Sequence, residues 1–581
     1  MSGWRAQKRC SAGTSSGSAR LGVAATRRRP APLWRRLSET RRTRSISPYS
    51  RSTSPYSAVA SGVGRSRPLA RSNSRKPSEA SACCSTRVTT GCETCSSRAA
   101  SLTVPVSITA RKTSICRRRM ESSVAGRGIA ERHILARLRI GQPRRPALPL
   151  RHRKPVGTDT AMKVVITGAG VVGMATAWQL ANDGHEVTVL ERRDGPGLET
   201  SFANGGQLSY SYVAPLAGPG VLAKVPGWLL RRDAPLRWRP RLDPAQWRWL
   251  AAFVGACNAS RSDATTRKLL RLAFHSRDRM RAFLDRHDID FDFARRGKLI
   301  VHRDAASFDA ARRLLDYQAG LGSEQHALDR DACVALEPAL AGIRDQIVGA
   351  IHTPSEEVAD CHRFCVGLAN LLRQHPNVSL RFGTAVRAIE RRGDAARGVH
   401  TDSGFEAADA VVLAGGIGSA TLLRPLGLRA PLWPLKGYSI TVPVGSGAQA
   451  PHISVTDFAR KIVYARIGNT LRVAGMADLT RPDTRIDERR AATLLDETRS
   501  VFGGIAGDRP LSDLQPWAGL RPATPSGLPL IGQSRLRHLW LNIGHGGLGF
   551  TLAMGSAGLL ADMIAKRPPA VDPADYSATL A

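Results

Sequence analysis

The stretch AMKVVITGAGVVGMATAW, Ala161 to Trp178, decides how this chain is read. KVVIT reads as a strand, and Gly168, Gly170 and Gly173 follow it in G-x-G-x-x-G spacing. A helical run, VVGMATAWQLANDG, comes next, then a second strand, EVTVL, closed by Glu191. Each part has a mechanical role. Gly168 makes the tight turn, Gly170 lets a pyrophosphate approach the backbone, and Gly173 lets the helix pack on the sheet. The helix N-terminus offers free N–H groups and the positive end of its dipole to phosphates. Glu191 is placed to accept from ribose hydroxyls, and its charge disfavours the 2′-phosphate of NADP despite Arg192 and Arg193. Glycine triplets recur in loops that bind nothing, but strand, turn, helix, strand and terminal acid in this order mark a dinucleotide-binding unit.

An NAD-binding domain would continue with further helix and strand repeats. This chain instead enters GPGLETSFANGGQLSYSYVAP, Gly195 to Pro215. Its backbone N–H groups, with Ser201, Asn204, Gly205, Gly206 and Gln207, suit a flat polar heterocycle and a pyrophosphate, which favours flavin over nicotinamide; an ordinary solvated loop is the plain alternative. A β-meander follows much later (RFGTAVRAIERR, then ARGVHTDSG), and FEAADAVVLAGGIGS supplies a buried strand ending on Gly415 and Gly416. The nucleotide domain is therefore expected to be discontinuous, with another domain inserted. Near the C-terminus LWLNIGHGGLGFTLAMGSAGLLADMI repeats strand, glycine turn and helix through Gly546, Gly547, Leu548 and Gly549. A helix starting there would aim its positive end at the N1/C2-oxygen edge of a flavin, where reduction places negative charge; tight packing is the alternative.

A net charge of +38 over 581 residues would suggest nucleic acid or an anionic membrane as partner if it were spread over the folded body. Residues 1–161 hold 34 Lys and Arg against 6 Asp and Glu, which leaves 51 against 41 for the rest. This leading segment, typified by RSISPYSRSTSPYS at Arg44 to Ser57, has no sustained apolar periodicity and reads as a disordered basic extension. A nucleic-acid-binding arm and a transit peptide compete with a third account, in which the natural chain starts at Met162 and the residues before it come from an overextended reading frame. That third account is preferred, so no nucleic acid is expected on the folded body. No uncharged apolar run reaches the ~18 residues needed to span a bilayer, and the body is expected in the cytoplasm or peripheral on the cytoplasmic face of the inner membrane. The CETC pair at Cys92 and Cys95 lacks a second pair at zinc-ribbon spacing, and Cys361 and Cys365 fall on an apolar helical stripe, so no metal site is expected.

From Met162 to about Ser577 the chain resembles the small subunit of bacterial D-amino-acid dehydrogenase, a flavoprotein of the wider D-amino-acid oxidase and glycine oxidase superfamily. The resemblance rests on VVITGAGVVGMATAWQL, HEVTVLER, LETSFANGGQLS, PLKGYSITVP at Pro434, WAGLRPATPSGLPLIG at Trp517 and LNIGHGGLGFTLAMGS at Leu541. Ser526 departs from the acidic residue that relatives often carry in that loop. The resemblance implies an α/β (α+β) fold: a discontinuous Rossmann-like FAD-binding domain (162–250, 345–428 and 517–581) with an inserted, mainly antiparallel substrate domain (251–344 and 429–516).

It further implies that the FAD adenosine-pyrophosphate end lies on Val164, Val165, Ile166, Thr167, Gly168, Ala169, Gly170, Val171, Val172, Gly173, Met174, Ala175, Thr176, Ala177 and Trp178, with Val386 near the adenine. The implied chemistry is hydride transfer from the α-carbon of a D-amino acid, D-alanine foremost, to FAD. The imino acid then hydrolyses to a 2-oxo acid and ammonium, and the electrons pass to an acceptor such as a respiratory quinone. Arg521, in the superfamily's G-x-R-P segment, is the implied partner of the substrate carboxylate, a planar fork suiting a bidentate pair. Tyr438 is a second donor to that carboxylate, Lys436 is expected near the flavin, and His545 lies by the ring or serves a turn. The Trp228 to Leu250 segment mixes four tryptophans with many arginines, as membrane-interface segments do, although a lid packed by aromatics reads the same way. An oxygen-using glycine or sarcosine oxidase on the same fold is the enzymatic alternative, and a nucleic-acid-binding protein acting through residues 1–161 the alternative of another class.

Overall fold

The computed structural model describes residues 161–230, 234–445, 450–479 and 482–577. The basic extension ahead of Met162, with its CETC pair, lies outside the described residues except for Ala161. The opening motif folds as read: β1 (Lys163–Thr167), α1 (Val171–Asn182), β2 (Glu186–Leu190). The other elements of this layer are α2 (Ala259–Leu284), α3 (Cys361–Arg373), β3 (Val378–Arg381), β4 (Ala410–Leu413), β5 (Leu530–Gln533), β6 (Leu539–Ile543) and α4 (Gly549–Ile564). The sheet order is β3-β2-β1-β4-β6-β5, parallel throughout except for the antiparallel edge β5.

Both faces of this sheet are covered, which is why its strands are apolar runs rather than alternating ones. Val164, Ile166, Val187, Val189 and Val412 pack under the four helices. Val165, Leu190, Val411 and Leu413 pack on the other face against Ile389, Ala396 and Val399. Those last residues belong to a three-stranded meander, Val386–Arg392, Ala395–Thr401 and Gly404–Ala407.

The second sheet has nine strands and is mainly antiparallel. Its long strand Trp433–Pro443 lies between Trp517–Ala523 and Thr470–Leu479. Ile462–Ile467, Ser454–Asp457, Lys298–His302, Gly349–Thr353 and His326–Asp329 follow in that order, and Leu236–Trp238 pairs along Thr470–Leu479.

Two segments sit differently from the division expected at residues 251 and 345. Leu269, Leu272, Ala273, Met280 and Phe283 of α2 pack with α1 and α4, on the nucleotide-binding side, although 251–344 was expected with the substrate domain. Gly349–Thr353, expected with the nucleotide domain, is a strand of the second sheet. An apolar stripe announces that a helix packs but not against which sheet.

The stretch Gly546–Ile564 is long and apolar enough to cross a bilayer, yet it is mostly buried, with α4 packed on α1 and α2. In the Trp-rich segment, Trp249 is core: it stacks on Phe253 at 5.3 Å and donates Nε1–H to the Ala523 carbonyl at 2.9 Å. Trp238 and Trp247 meet edge to face, with Trp247 half exposed. The Trp228 side chain is outside the described ones.

Candidate functional site

A cavity of about 750 Å³ opens between the two sheets and takes its wall from both. The β1 turn forms its rim. Gly168 has φ +98°, and a Cβ there would stand 2.9 Å from the Ala414 carbonyl oxygen, so the turn tolerates only glycine. Gly173 is held by contact: its Cβ would lie 1.9 Å from the Gly168 carbonyl oxygen, so α1 begins hard against the turn. Gly170 caps α1 without any side-chain bond, and Val171 N–H donates to Ser201 Oγ at 3.1 Å. Val171 and Val172, in the first turn of α1, stand on the cavity wall, so the positive end of this helix faces the cavity.

Glu191 terminates β2 at one end of the cavity. Its carboxylate accepts from Ala169 N–H at 2.8 Å and Arg193 N–H at 2.9 Å, which leaves further lone pairs for a ligand. Arg192 is on the same wall and, like Arg193, pairs with Glu199, at 2.8 and 2.7 Å. The Glu191 carbonyl accepts from Thr384 N–H, which brings Val386 and Arg387 to this end.

Midway, Asn204 Oδ1 closes a turn on Gly206 N–H at 3.0 Å. The Gln207 amide donates to Ser454 Oγ and accepts from buried Lys298 at 2.8 Å; burial pushes the Lys298 ammonium down to about 8. His545, Gly546, Gly547, Gly549 and Arg521 share the wall, and a Cβ on Gly547 would lie 3.6 Å from Arg521 Cδ. Burial pulls His545 down to about 3, so its imidazole is neutral.

Of the residues expected on the cofactor, Thr167, Gly168, Gly170, Val171, Val172, Glu191, Arg192, Ser201, Asn204, Gly205, Gly206, Gln207, Val386, Gly415, Gly416, Gly546, Gly547 and Gly549 line this cavity. Val164, Val165, Ile166, Ala169, Gly173, Met174, Ala175, Thr176, Ala177, Trp178 and Leu548 do not line it. Only the first turn of α1 reaches the wall, and most of the others are core beneath it.

Arg521 lies deep on the wall. Its Nη1 donates to the Met476 carbonyl at 2.8 Å, and no carboxylate of the described residues is within ion-pair distance. Burial lowers its pKa from the usual arginine value, opposed by the field of Asp478.

Two expectations need correction. The Tyr438 hydroxyl, expected on the substrate carboxylate, donates its one proton to Asp478 at 3.0 Å, because the same buried carboxylate gathers Arg237 and Arg490. Lys436, expected near the flavin, pairs with Asp483 at 2.9 Å and faces a second cavity beside Arg237 and Arg485. Two apart on one strand, the two residues share a face, and Lys436 Nζ lies 5.7 Å from the centre of the Tyr438 ring.

Sequence reasoning passed over Asn542, Met476, Gly437 and Asp478. Asn542 is a polar residue in an apolar strand and Gly437 a glycine inside a strand, and each was a usable signal.

Buried Thr167 Oγ1, Asn542 Oδ1 and His545 Nε2 have no partner, and all three residues stand on the cavity wall. Together with the helix start and Glu191, they make a polar lining that fits FAD.

Comparison with known proteins agrees. The family model described as FAD dependent oxidoreductase matches residues 163–563. "D-amino acid dehydrogenase 2" of Ralstonia nicotianae is 58% identical over 422 residues, covering 72% of this chain and 99% of that protein. Its namesake from Pseudomonas aeruginosa is 51% identical over 415 residues, covering 71% of this chain and 97% of that one. Among solved structures, glycine oxidase from Bacillus cereus superposes with TM-score 0.54 at 19% identity, over 72% of this chain and 99% of that one. L-proline dehydrogenase from P. horikoshii gives 0.56 at 17%, over 72% and 96%; both show the shared fold. The chain thus belongs to the FAD-dependent oxidoreductases of the D-amino-acid oxidase family and, within them, to the D-amino acid dehydrogenases.

Proposed function

We propose that this protein oxidises D-amino acids with small or apolar side chains, D-alanine foremost, to 2-oxo acids and ammonium, and passes the electrons to a membrane quinone. One observation carries the substrate assignment: Arg521, a deep guanidinium on the cavity wall with no carboxylate partner among the described residues. A charge withdrawn from water calls for an anion in ion-pair contact, and a substrate carboxylate meets a guanidinium in bidentate geometry. Around it Leu216, Pro235, Leu236, Tyr438 and Met476 offer an apolar wall for the side chain.

FAD, when bound, supplies the two-electron acceptor for the hydride leaving the α-carbon. The protein's own work is orientation: Arg521 holds the carboxylate, the apolar wall holds the side chain, and one face of the α-carbon is thereby presented. His545 is neutral across the working pH range and shapes the wall without adding charge.

A quinone acceptor implies contact with the membrane. Leu242 is fully exposed, Trp247 is exposed nearby in the chain, and exposed Ile486 lines the adjoining cavity with Leu242, Arg239, Arg241 and Arg485. Apolar tips flanked by arginines suit the headgroup boundary of a bilayer and support a peripheral location on the cytoplasmic face.

The test is anaerobic. Purified protein should show a flavin spectrum that D-alanine bleaches and L-alanine does not. Arg521→Ala should keep its FAD while KM rises roughly a hundredfold, as the loss of two charge-assisted hydrogen bonds implies. Bleaching by the L-isomer alone, or loss of FAD in the variant, would overturn the assignment; stoichiometric hydrogen peroxide in air would point to an oxidase instead.

A further inference from the structure

We infer that Gly437 and the left-handed residue Met476 form a seat whose function is to fix the plane of the Arg521 guanidinium; this rests on the reading of Arg521 as the carboxylate site. Gly437 and Gly519 stand directly opposite each other on neighbouring strands, so side chains are missing from two adjoining positions of one sheet face. Two neighbouring residues lie down into that clearing. A Cβ on Gly437 would stand 2.4 Å from Arg521 Nη2 and 2.5 Å from its Cζ, and a Cβ on Gly519 would meet the Trp517 ring at 2.0 Å. The guanidinium therefore rests on bare backbone at Gly437.

The third member comes from the other neighbouring strand. Lys436 pairs with Asp478 and Tyr438 with Gly475, so Met476 and Ala477 together oppose Gly437 alone, which is a β-bulge. Met476 has φ +61°, an unfavourable region for an unbranched L-residue and one found preferentially where function demands it. The Met476 carbonyl accepts from Arg521 Nη1 at 2.8 Å, while Ala477 N–H donates to Pro235 at 2.7 Å. One of the five N–H groups of the fork is thus tied down by backbone, and the others are left for a ligand.

A floor without side chains and a strained carbonyl converge on one residue. Packing alone needs neither, since any apolar side chain could fill the clearing. Gly437 and Met476 are accordingly positioning residues, acting on the substrate through Arg521.

The test is a double-mutant cycle on the FAD-loaded full chain, using Gly437→Ala, Arg521→Lys and their combination. Three quantities are read: KM and kcat with D-alanine, and the Kd of propionate, a carboxylate that does not react, from its perturbation of the flavin absorbance. Gly437→Ala should retain FAD and raise both KM and the propionate Kd ten- to a hundredfold, roughly the value of a charge-assisted hydrogen bond or two. In the Arg521→Lys background the same change should add less than about twofold, because the group it displaces is gone. Equal effects in both backgrounds, or an unchanged propionate Kd in Gly437→Ala, overturn the seat. An unchanged Kd in Arg521→Lys overturns the carboxylate reading instead, so the two failures are distinct. Should Gly437→Ala not fold, Met476→Val replaces it in the cycle: a β-branched residue resists φ +61° and withdraws the carbonyl, with the same expected and refuting outcomes.

Discussion

Gly173→Ala probes the contact between α1 and the β1 turn, on which the proposed phosphate site depends. The added Cβ would lie 1.9 Å from the Gly168 carbonyl oxygen and 3.0 Å from its carbon, both backbone atoms of a turn that is itself pressed on Ala414. Carbon and oxygen approach to about 3.3 Å, so the start of α1 must retreat by roughly 1.4 Å. Met174, Ala175, Ala177, Leu180 and Ala181 on that helix are all at most 1% exposed, so a retreat of this size has no slack to use. Overpacking of this kind costs about 1–3 kcal/mol of stability, and drawing the helix amides away from a phosphate loses about 1.5–3 kcal/mol for each charge-assisted bond. The expectation is a lower melting temperature in the apoprotein and an FAD Kd raised roughly a hundredfold, read by quenching of flavin fluorescence on titration. Gly503→Ala is the internal control: nothing lies within 4 Å of its Cβ at the start of a short helix, so stability should hold or rise slightly. If Gly173→Ala binds FAD like the wild type, or if the two substitutions lower the melting temperature alike, the packing argument is refuted.

Two further perturbations test the ends of the cavity. Glu191→Gln leaves one oxygen where the Ala169 and Arg193 N–H groups now each have one, so FAD affinity should fall about tenfold or more by calorimetric titration, and unchanged affinity would remove Glu191 from the site. His545 takes up its proton near pH 6.5 when unfolded but only at about 3 when folded, so between those values the unfolded chain binds more protons and stability is lost as pH falls. The loss from this residue is about 2 kcal/mol at pH 5, and His545→Asn should therefore lose less melting temperature than the wild type between pH 7 and pH 5; an equal loss refutes the buried neutral imidazole.

What the sequence disclosed followed the range of the interactions. The β1 turn, the meander and the Gly546 turn were legible because spacing within about thirty residues states their geometry. The directions of Tyr438 and Lys436 were not, since their partners Asp478 and Asp483 are some forty residues away and become neighbours only through sheet pairing. The packing of α2 on the nucleotide-binding side was hidden for the same reason. Gly437 marks the boundary between the two cases: a glycine inside a strand announces that something approaches closely, but only the register with Gly519 and the bulge at Met476 reveal that it is Arg521.

The order of strands in the first sheet also bears on biosynthesis. β1 emerges first, but its neighbour β4 arrives some 240 residues later, and β6 and the helix that closes the cavity come at the very end. A ribosome-bound chain can thus complete the β1 turn early, yet it cannot enclose the cofactor until residues near Gly549 have been released. During that interval the apolar edge of β1 waits unpaired, a state exposed to aggregation in a topology dominated by distant pairings. Flavin capture is therefore a terminal event of synthesis, and a chain cut before β6 should neither retain FAD nor stay in solution.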